Sequence, residues 1–301
     1  MSTDVNILLS TYNGEKYLPE LLDSIANQTY PHLKITIRDD GSSDNTISIV
    51  EEFARLRSDV TLIRGANIGI TRSFFTLLSE AEPCGYYAFC DQDDVWLPDK
   101  VERAVKALNN HPTDIPVMYC SAYELVDEEL RPIGKSIRKK MRPGFGNALV
   151  ENNATGCTIV LNNAARDKLI KKLPQKALMH DWWMYMVISA FGTVTYDPVP
   201  SILYRQHASN VLGVKTNPLG RWIRRIRQYK DRDGERLIRR QVCEFYELYK
   251  DEMDEKTLEM TKRFLDDSFI NRVRNLFSST FYRQTAIDNL IFKVLYLVNR
   301  I

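Results

Sequence analysis

Four short β-rich runs alternate with helical stretches in the first 91 residues, and that alternation leaves few folds open. The runs are residues 5–9, 33–38, 60–63 and 85–90. Between them, Tyr17, Leu18, Leu21, Leu22 and Ile25 fall at helical spacing. So do Ile47, Ile49, Val50 and Phe53, and then Phe74, Phe75, Leu77 and Leu78. Short strands separated by single amphipathic helices predict a parallel α/β sheet. At 301 residues and 44% hydrophobic, the chain has enough apolar side chains for a large core with room for an appendage.

Each run ends in a polar turn: residues 10–14, 39–44 and 67–69, and then Asp91-Gln92-Asp93-Asp94. Open α/β sheets bind ligands at these carboxyl ends. Carboxylates this crowded repel one another and stay ionised together when they share a cation. Oxygen ligands suit Mg²⁺ or Mn²⁺, which in turn would hold a diphosphate. The plain alternative is an acidic turn capping the next helix, with Pro98 in its first turn. The glycines at 14, 41 and 69 make neither a dinucleotide fingerprint nor a P-loop. The strand-end Asp and Asn side chains would therefore read a base and ribose, leaving the phosphates to a metal.

Later residues add candidates. Residues 117–123 and 157–161 read as strands, 163–173 as a helix, and 131–150 as a basic loop near the site. His180-Asp181-Trp182-Trp183 opens a further helix, where Asp181 is either a helix cap or a catalytic acid–base group. One face of the paired Trp rings would pack on the core while another receives a sugar. Two strands, 193–196 and 201–204, lead to Arg205-Gln206-His207, a cation and an imidazole suited to a diphosphate or a metal.

Charge divides the chain. Residues 215–301 hold 19 Lys/Arg against 13 Asp/Glu, and the remainder 22 against 26. A net +2 argues against general nucleic-acid binding, whereas the basic end fits an anionic membrane surface. Residues 218–240 interleave arginines with Trp222, Ile223, Ile226 and Leu237, as an amphipathic helix on a membrane or packed on the body would. Residues 290–298 are apolar but too few to span a bilayer. The five cysteines show no metal-type spacing and read as buried thiols in a reducing compartment. With no basic-then-apolar leader, a cytoplasmic location with peripheral membrane contact is expected.

Together, residues 10–14, 39–44, 67–69 and 91–94 resemble the family-2 glycosyltransferases with a GT-A fold, over about residues 4–213. Residues 91–96, 180–182 and 204–211 are similar to bacterial rhamnosyltransferases of rhamnose-rich cell-wall polysaccharides. The resemblance implies a GT-A domain over 1–214 and a helical extension over 215–301 that associates with membrane or forms homo-oligomers. It implies an inverting, metal-dependent transfer, of L-rhamnose from dTDP-rhamnose, to a polyprenyl-linked glycan at the inner membrane face. Thr11, Tyr12, Asp39, Asp40, Asn67, Asp91 and Arg205 would bind the donor. Asp93, Asp91 and His207 would hold Mg²⁺ or Mn²⁺. Asp181 would be the catalytic base, with His180, Trp182 and Trp183 toward the acceptor. Two departures stand out. The processive synthases' Gln-x-x-Arg-Trp motif is missing, and His180 stands where many members carry an acid. A UDP-hexose donor, a nucleotidyltransferase, or a non-catalytic membrane scaffold are the competing readings.

Overall fold

The computed structural model describes residues 3–135, 141–207 and 236–301. The expected alternation is present: β1 (Val5–Thr11), α1 (Leu18–Ala26), β2 (Leu33–Asp39), α2 (Thr46–Arg55), β3 (Val60–Arg64), α3 (Ile70–Glu80) and β4 (Tyr86–Asp91). These four strands are mutually parallel in the order β3-β2-β1-β4. The remainder of the sheet is mixed. After β5 (Val95–Trp96) and α4 (Lys100–Leu108) come β6 (Val117–Val126) and β7 (Pro132–Lys135). They are followed by α5 (Phe145–Ala148), β8 (Val160–Asn162), α6 (Asn163–Ile170), α7 (His180–Phe191) and β9 (Thr193–Arg205). Among the described residues the sheet continues β4-β8-β6-β9-β5, with β7 beside β6; β8 is antiparallel to both its neighbours.

The strands separate two cores by simple alternation. On β1, Val5, Ile7 and Leu9 face α1, α2 and α4, while Leu8 faces α3 and α7. On β4, Ala88 and Cys90 take the first side, and Tyr87 and Phe89 the second. The second core is shared with the C-terminal helices α8 (Leu237–Tyr249), α9 (Glu255–Leu265), α10 (Phe269–Phe277) and α11 (Ala286–Leu297). Val242, Phe245, Phe264, Phe281 and Phe292 join the same cluster as Trp183 and Met184 of α7. The helical extension thus completes a core that the sheet and α7 begin.

Several local readings change. The strands expected at 193–196 and 201–204 are one strand, β9, which carries Pro198 and Pro200 through register shifts against β6. The strand expected at 157–161 begins later. Gly156–Thr158 form a 3-10 turn, in which the Thr158 N–H and hydroxyl both donate to Thr155 O. Helix α4 starts at Lys100, so Pro98 precedes it. The loop expected over 131–150 ends in buried Phe145, Ala148, Leu149 and Val150. Cys84, Cys90, Cys120 and Cys157 are buried, whereas Cys243 is exposed. Most of the basic stretch 218–240, and residues 208–211 of the resembling motif, lie outside the described residues. No helix among the described residues is long and apolar enough to cross a membrane.

Candidate functional site

The carboxyl ends of β1, β2 and β4 meet because their registers align Thr11 with Asp39 and Ser10 with Asp91. At the β2 end the chain turns sharply through Gly41, whose φ of +82° suits glycine. The Asp39 carboxylate accepts from Gly41 N (3.0 Å), Ser42 N (2.8 Å) and the Thr11 hydroxyl (3.0 Å). Asp40 is ion-paired with the buried Arg38 guanidinium and accepts from Ile68 N at 3.2 Å. Both aspartates are buried and shape the β1–β2 rim through these bonds. Tyr12 is exposed, its backbone clasped by the Gln92 amide in both directions (2.8 and 3.0 Å). Asn67, also exposed, closes its own turn by accepting from Gly69 N at 3.1 Å.

The acidic cluster divides in two. Asp93 reaches outward, its Oδ2 2.8 Å from His207 Nε2. Asp91 and Asp94 turn inward, where ligand atoms of both lie within 4.8 Å of each other and of Cys157 Sγ. Asp91 Oδ1 and Asp94 Oδ2 are buried without a hydrogen-bond partner of good geometry. Burial, then the Asp93 charge, then Asp181, push the Asp91 carboxyl up to about 7. Burial pushes Asp94 well above the carboxylate range as well. Orphaned, crowded carboxylate oxygens are what a hard divalent cation stabilises, so Asp91, with the Asp93 charge beside it, fits such an ion, whereas the Cys157 thiol is a soft donor that such an ion does not call for. Lys100 lies beneath the cluster. Its ammonium is buried without a hydrogen-bond partner, 4.3 Å over the Trp96 ring, and burial pulls it down to about 8.

Helix α7 delivers Asp181. The residue is buried at the helix start, where its Oδ1 accepts from Trp182 N at 2.7 Å, and the Asn152 side chain and Gly156 backbone also hold it. Burial pushes its carboxyl up to about 6, against the pull of those hydrogen bonds. A carboxylate of that basicity, near enough to Asp91 to raise it, is suited to taking a proton near neutral pH. His180 is buried between Phe74 (ring centroids 4.2 Å apart) and Phe89 (6.0 Å), and burial draws its imidazole down to about 3, holding it neutral.

The profile of the family described as Glycosyl transferase family 2 matches residues 6–173. The chain belongs to that family. A dTDP-rhamnosyl transferase, RfbG of Shigella flexneri, is 31% identical over 223 residues, covering 68% of this chain and 73% of its own. A teichuronic acid biosynthesis glycosyltransferase, TuaG of Bacillus subtilis, described as putative, is 25% identical over 52% of this chain and 61% of its own. Among solved structures, S. aureus TarS 1-349 in complex with UDP-GlcNAc superposes with a TM-score of 0.61 at 17% identity, covering 99% of this chain and 79% of that one. The Pyrobaculum calidifontis mannosyltransferase PcManGT, in complex with GDP-Man and Mn²⁺, superposes at 0.55 with 19% identity, covering 99% and 75%. The fold is that of the GT-A glycosyltransferases, with helices at the C-terminal end.

In this family-2 glycosyltransferase three expected roles meet a different geometry: His180, held between Phe74 and Phe89, is closed to an acceptor, and Arg205 and Trp183 are enclosed as well. Arg205 is 1% exposed. Its guanidinium donates to Asp93 O (2.9 Å), to Glu128 O and to the Glu20 carboxylate, and stacks on Tyr17 at 4.6 Å. Its backbone N–H donates to Asp94 Oδ1 at 3.1 Å. A planar five-donor fork suits such bracing. Arg205 thus holds the acidic turn from behind instead of reaching toward a diphosphate. Tyr17 also packs on His207, 4.8 Å between ring centroids, so one aromatic ring aligns both residues. Trp183 is fully buried against Phe245 and presents no open face. Trp182 remains half-buried, its indole N–H donating to Ala148 O at 2.7 Å, and is the more accessible of the two rings. Sequence reasoning missed Cys157, Asn152, Lys100 and the Tyr17–Glu20–Glu128 brace. Asn152 offered a signal, the run 151–156 just before the 3-10 turn, and Glu128 sits in the acidic turn 127–129; the others sit in ordinary apolar or helical patterns.

Proposed function

We propose that the protein is an inverting hexosyltransferase that moves L-rhamnose from dTDP-rhamnose to a polyprenyl-linked glycan on an anionic membrane surface, at its inner face. The observation that carries this reading is the pairing at the strand ends of a basic buried carboxylate, Asp181, with the outward Asp93–His207 pair 2.8 Å apart. The 31% identity to a dTDP-rhamnosyl transferase supports the donor.

In the step, an acceptor hydroxyl attacks C1 of the sugar as the bond from C1 to the diphosphate oxygen breaks. Asp181 takes the hydroxyl proton, and dTDP leaves. Attack from the side opposite the leaving group inverts the anomeric centre. Tyr12 and Asn67 line the rim for the base and ribose, whose walls buried Thr11, Asp39 and Asp40 hold in shape. Asp93, Asp91 and His207 would hold a divalent ion, Mg²⁺ or Mn²⁺. When bound, that ion neutralises charge developing on the departing diphosphate. Burial of Asp91 and Asp181 keeps water from weakening these interactions. Residues 1–214 form the transferase unit in this reading, and residues 215–301 attach it to membrane or to a second copy.

The test is turnover by the full chain of dTDP-rhamnose, UDP-glucose and UDP-GlcNAc with Mg²⁺ or Mn²⁺, against chelator. Release of dTDP from dTDP-rhamnose, abolished by chelator, is expected. Faster release of UDP from a UDP-hexose would overturn the donor assignment, and pyrophosphate release would overturn the reaction class. No turnover of any donor would leave a scaffold.

A further inference from the structure

Large apolar side chains are normally scattered singly over a surface. Here they are concentrated. On α10, Ile270 and Phe277 are each 82% exposed and Phe269 65%. On α11 and just beyond it, Ile287, Leu290, Val294 and Val298 are 66, 63, 49 and 55% exposed. Their spacing of three, four and four residues runs as one stripe along the helix.

The opposite faces of both helices are fixed inward. Asn275 Nδ2 donates to the Tyr296 hydroxyl at 3.1 Å, that hydroxyl donates to Phe264 O at 3.1 Å, and Phe264, Phe281 and Tyr296 pack ring on ring. The stripes therefore turn away from the protein as a consequence of packing, and rotating either helix to hide them would break this cluster.

Charge selects what covers the face. Residues 268–301 carry five basic side chains against one acid, Asp288; Arg274 and Arg300 are exposed and Lys293 half-buried, while Arg272 and Arg283 donate inward to Leu297 O and Val150 O. The Asp288 carboxylate accepts from the Thr285 hydroxyl at the start of α11. A second copy laid on this face would bring cation against cation, with no acid free of that cap to match them. A layer of anionic lipid supplies both the apolar interior and the opposite charge. Twelve residues of helix reach about 18 Å, too short to span, so the hairpin would lie flat in the headgroup boundary.

We infer that the outer face of the α10–α11 hairpin is a docking surface that inserts its apolar stripe into an anionic lipid bilayer. The inference deepens the transferase reading, since a lipid-linked acceptor lies at such a surface, but the docking itself rests on the hairpin alone.

The test is flotation of the full chain with phosphatidylglycerol-rich vesicles, at low salt and at about 0.5 M salt, where charge attraction is screened. The triple variant Ile270→Ser/Phe277→Ser/Leu290→Ser is run beside it. The parent should bind in both conditions. The variant should partition roughly tenfold or more weakly, retaining the parent's melting temperature and its release of dTDP from donor. Equal partition of variant and parent at both salts would overturn the inference. So would a parent dimer in sedimentation velocity that the variant abolishes while neither binds vesicles. Absence of dTDP release from either protein would count against the transferase reading alone and would leave the vesicle result intact.

Discussion

Helices α7 and α11 are each twelve residues long and similarly apolar in composition, yet α7 buries eight of its side chains and α11 only two. The difference is position. Helix α7 lies between the sheet and the C-terminal helices, so both its faces find partners; α11 closes the outside of the stack and finds one. The same hydrophobic content therefore does two jobs. In α7 it surrounds Asp181 and raises its basicity, and in α11 it leaves a stripe that no described residue covers. Charged groups follow the same division. Arg205 is buried behind the acidic turn, while Arg274 and Arg300 are exposed beside the stripe.

Substitutions on the two helices should separate these roles. The largest effect is expected for Trp183→Ala, which opens a cavity in the shared core and should cost roughly 3–5 kcal/mol in urea denaturation. A loss under 1 kcal/mol would mean that α7 is not the packed element described. Next comes Arg205→Met, which leaves the carbonyls of Asp93 and Glu128 without their donor. A loss of about 2–4 kcal/mol is expected, with Mn²⁺ affinity, read by electron paramagnetic resonance, falling roughly tenfold because Asp93 and His207 lose their brace. Unchanged Mn²⁺ affinity would make Arg205 structural only.

Asp181→Asn should act in the opposite direction on stability. Because burial raises the folded-state carboxyl to about 6, its favourable contribution is complete below the unfolded value near 3.8 and is lost as pH rises through 6. Removing the charge should therefore stabilise the protein by roughly 1–3 kcal/mol at pH 8 and hardly at all at pH 3. Equal effects at the two pH values would contradict the burial account. The smallest effect is expected for Leu290→Ser, within about 0.5 kcal/mol of the parent in solution. A larger loss would show that the stripe is covered by protein after all.

The first four strands and the helices between them could be read from the sequence because each run is short, β-rich and closed by a polar turn. The meeting of Asp39, Asp91, Asp93 and Asp181 followed from that topology and from the resemblance. The tasks of individual side chains were harder to read. Arg205 beside His207 looks like a phosphate contact in one dimension, and only folding brings Glu20, Tyr17 and Glu128 around it. The two tryptophans are adjacent and chemically alike, yet a helical step of about 100° sends Trp183 into the core and leaves Trp182 half-open. Cys157 joins the acidic cluster because a 3-10 turn replaces the first residues of the expected strand. The strands expected at 193–196 and 201–204 are one, because register shifts against β6 carry the backbone through Pro198 and Pro200.

The central claim is that Asp181 is the base of a nucleotide-sugar transferase. Turnover of dTDP-rhamnose by Asp181→Asn, measured as dTDP released with Mg²⁺ present, tests it most directly when paired with calorimetric donor binding. Turnover should fall roughly 10²–10⁴-fold while donor affinity stays within about twofold of the parent. Near-parental turnover would contradict it.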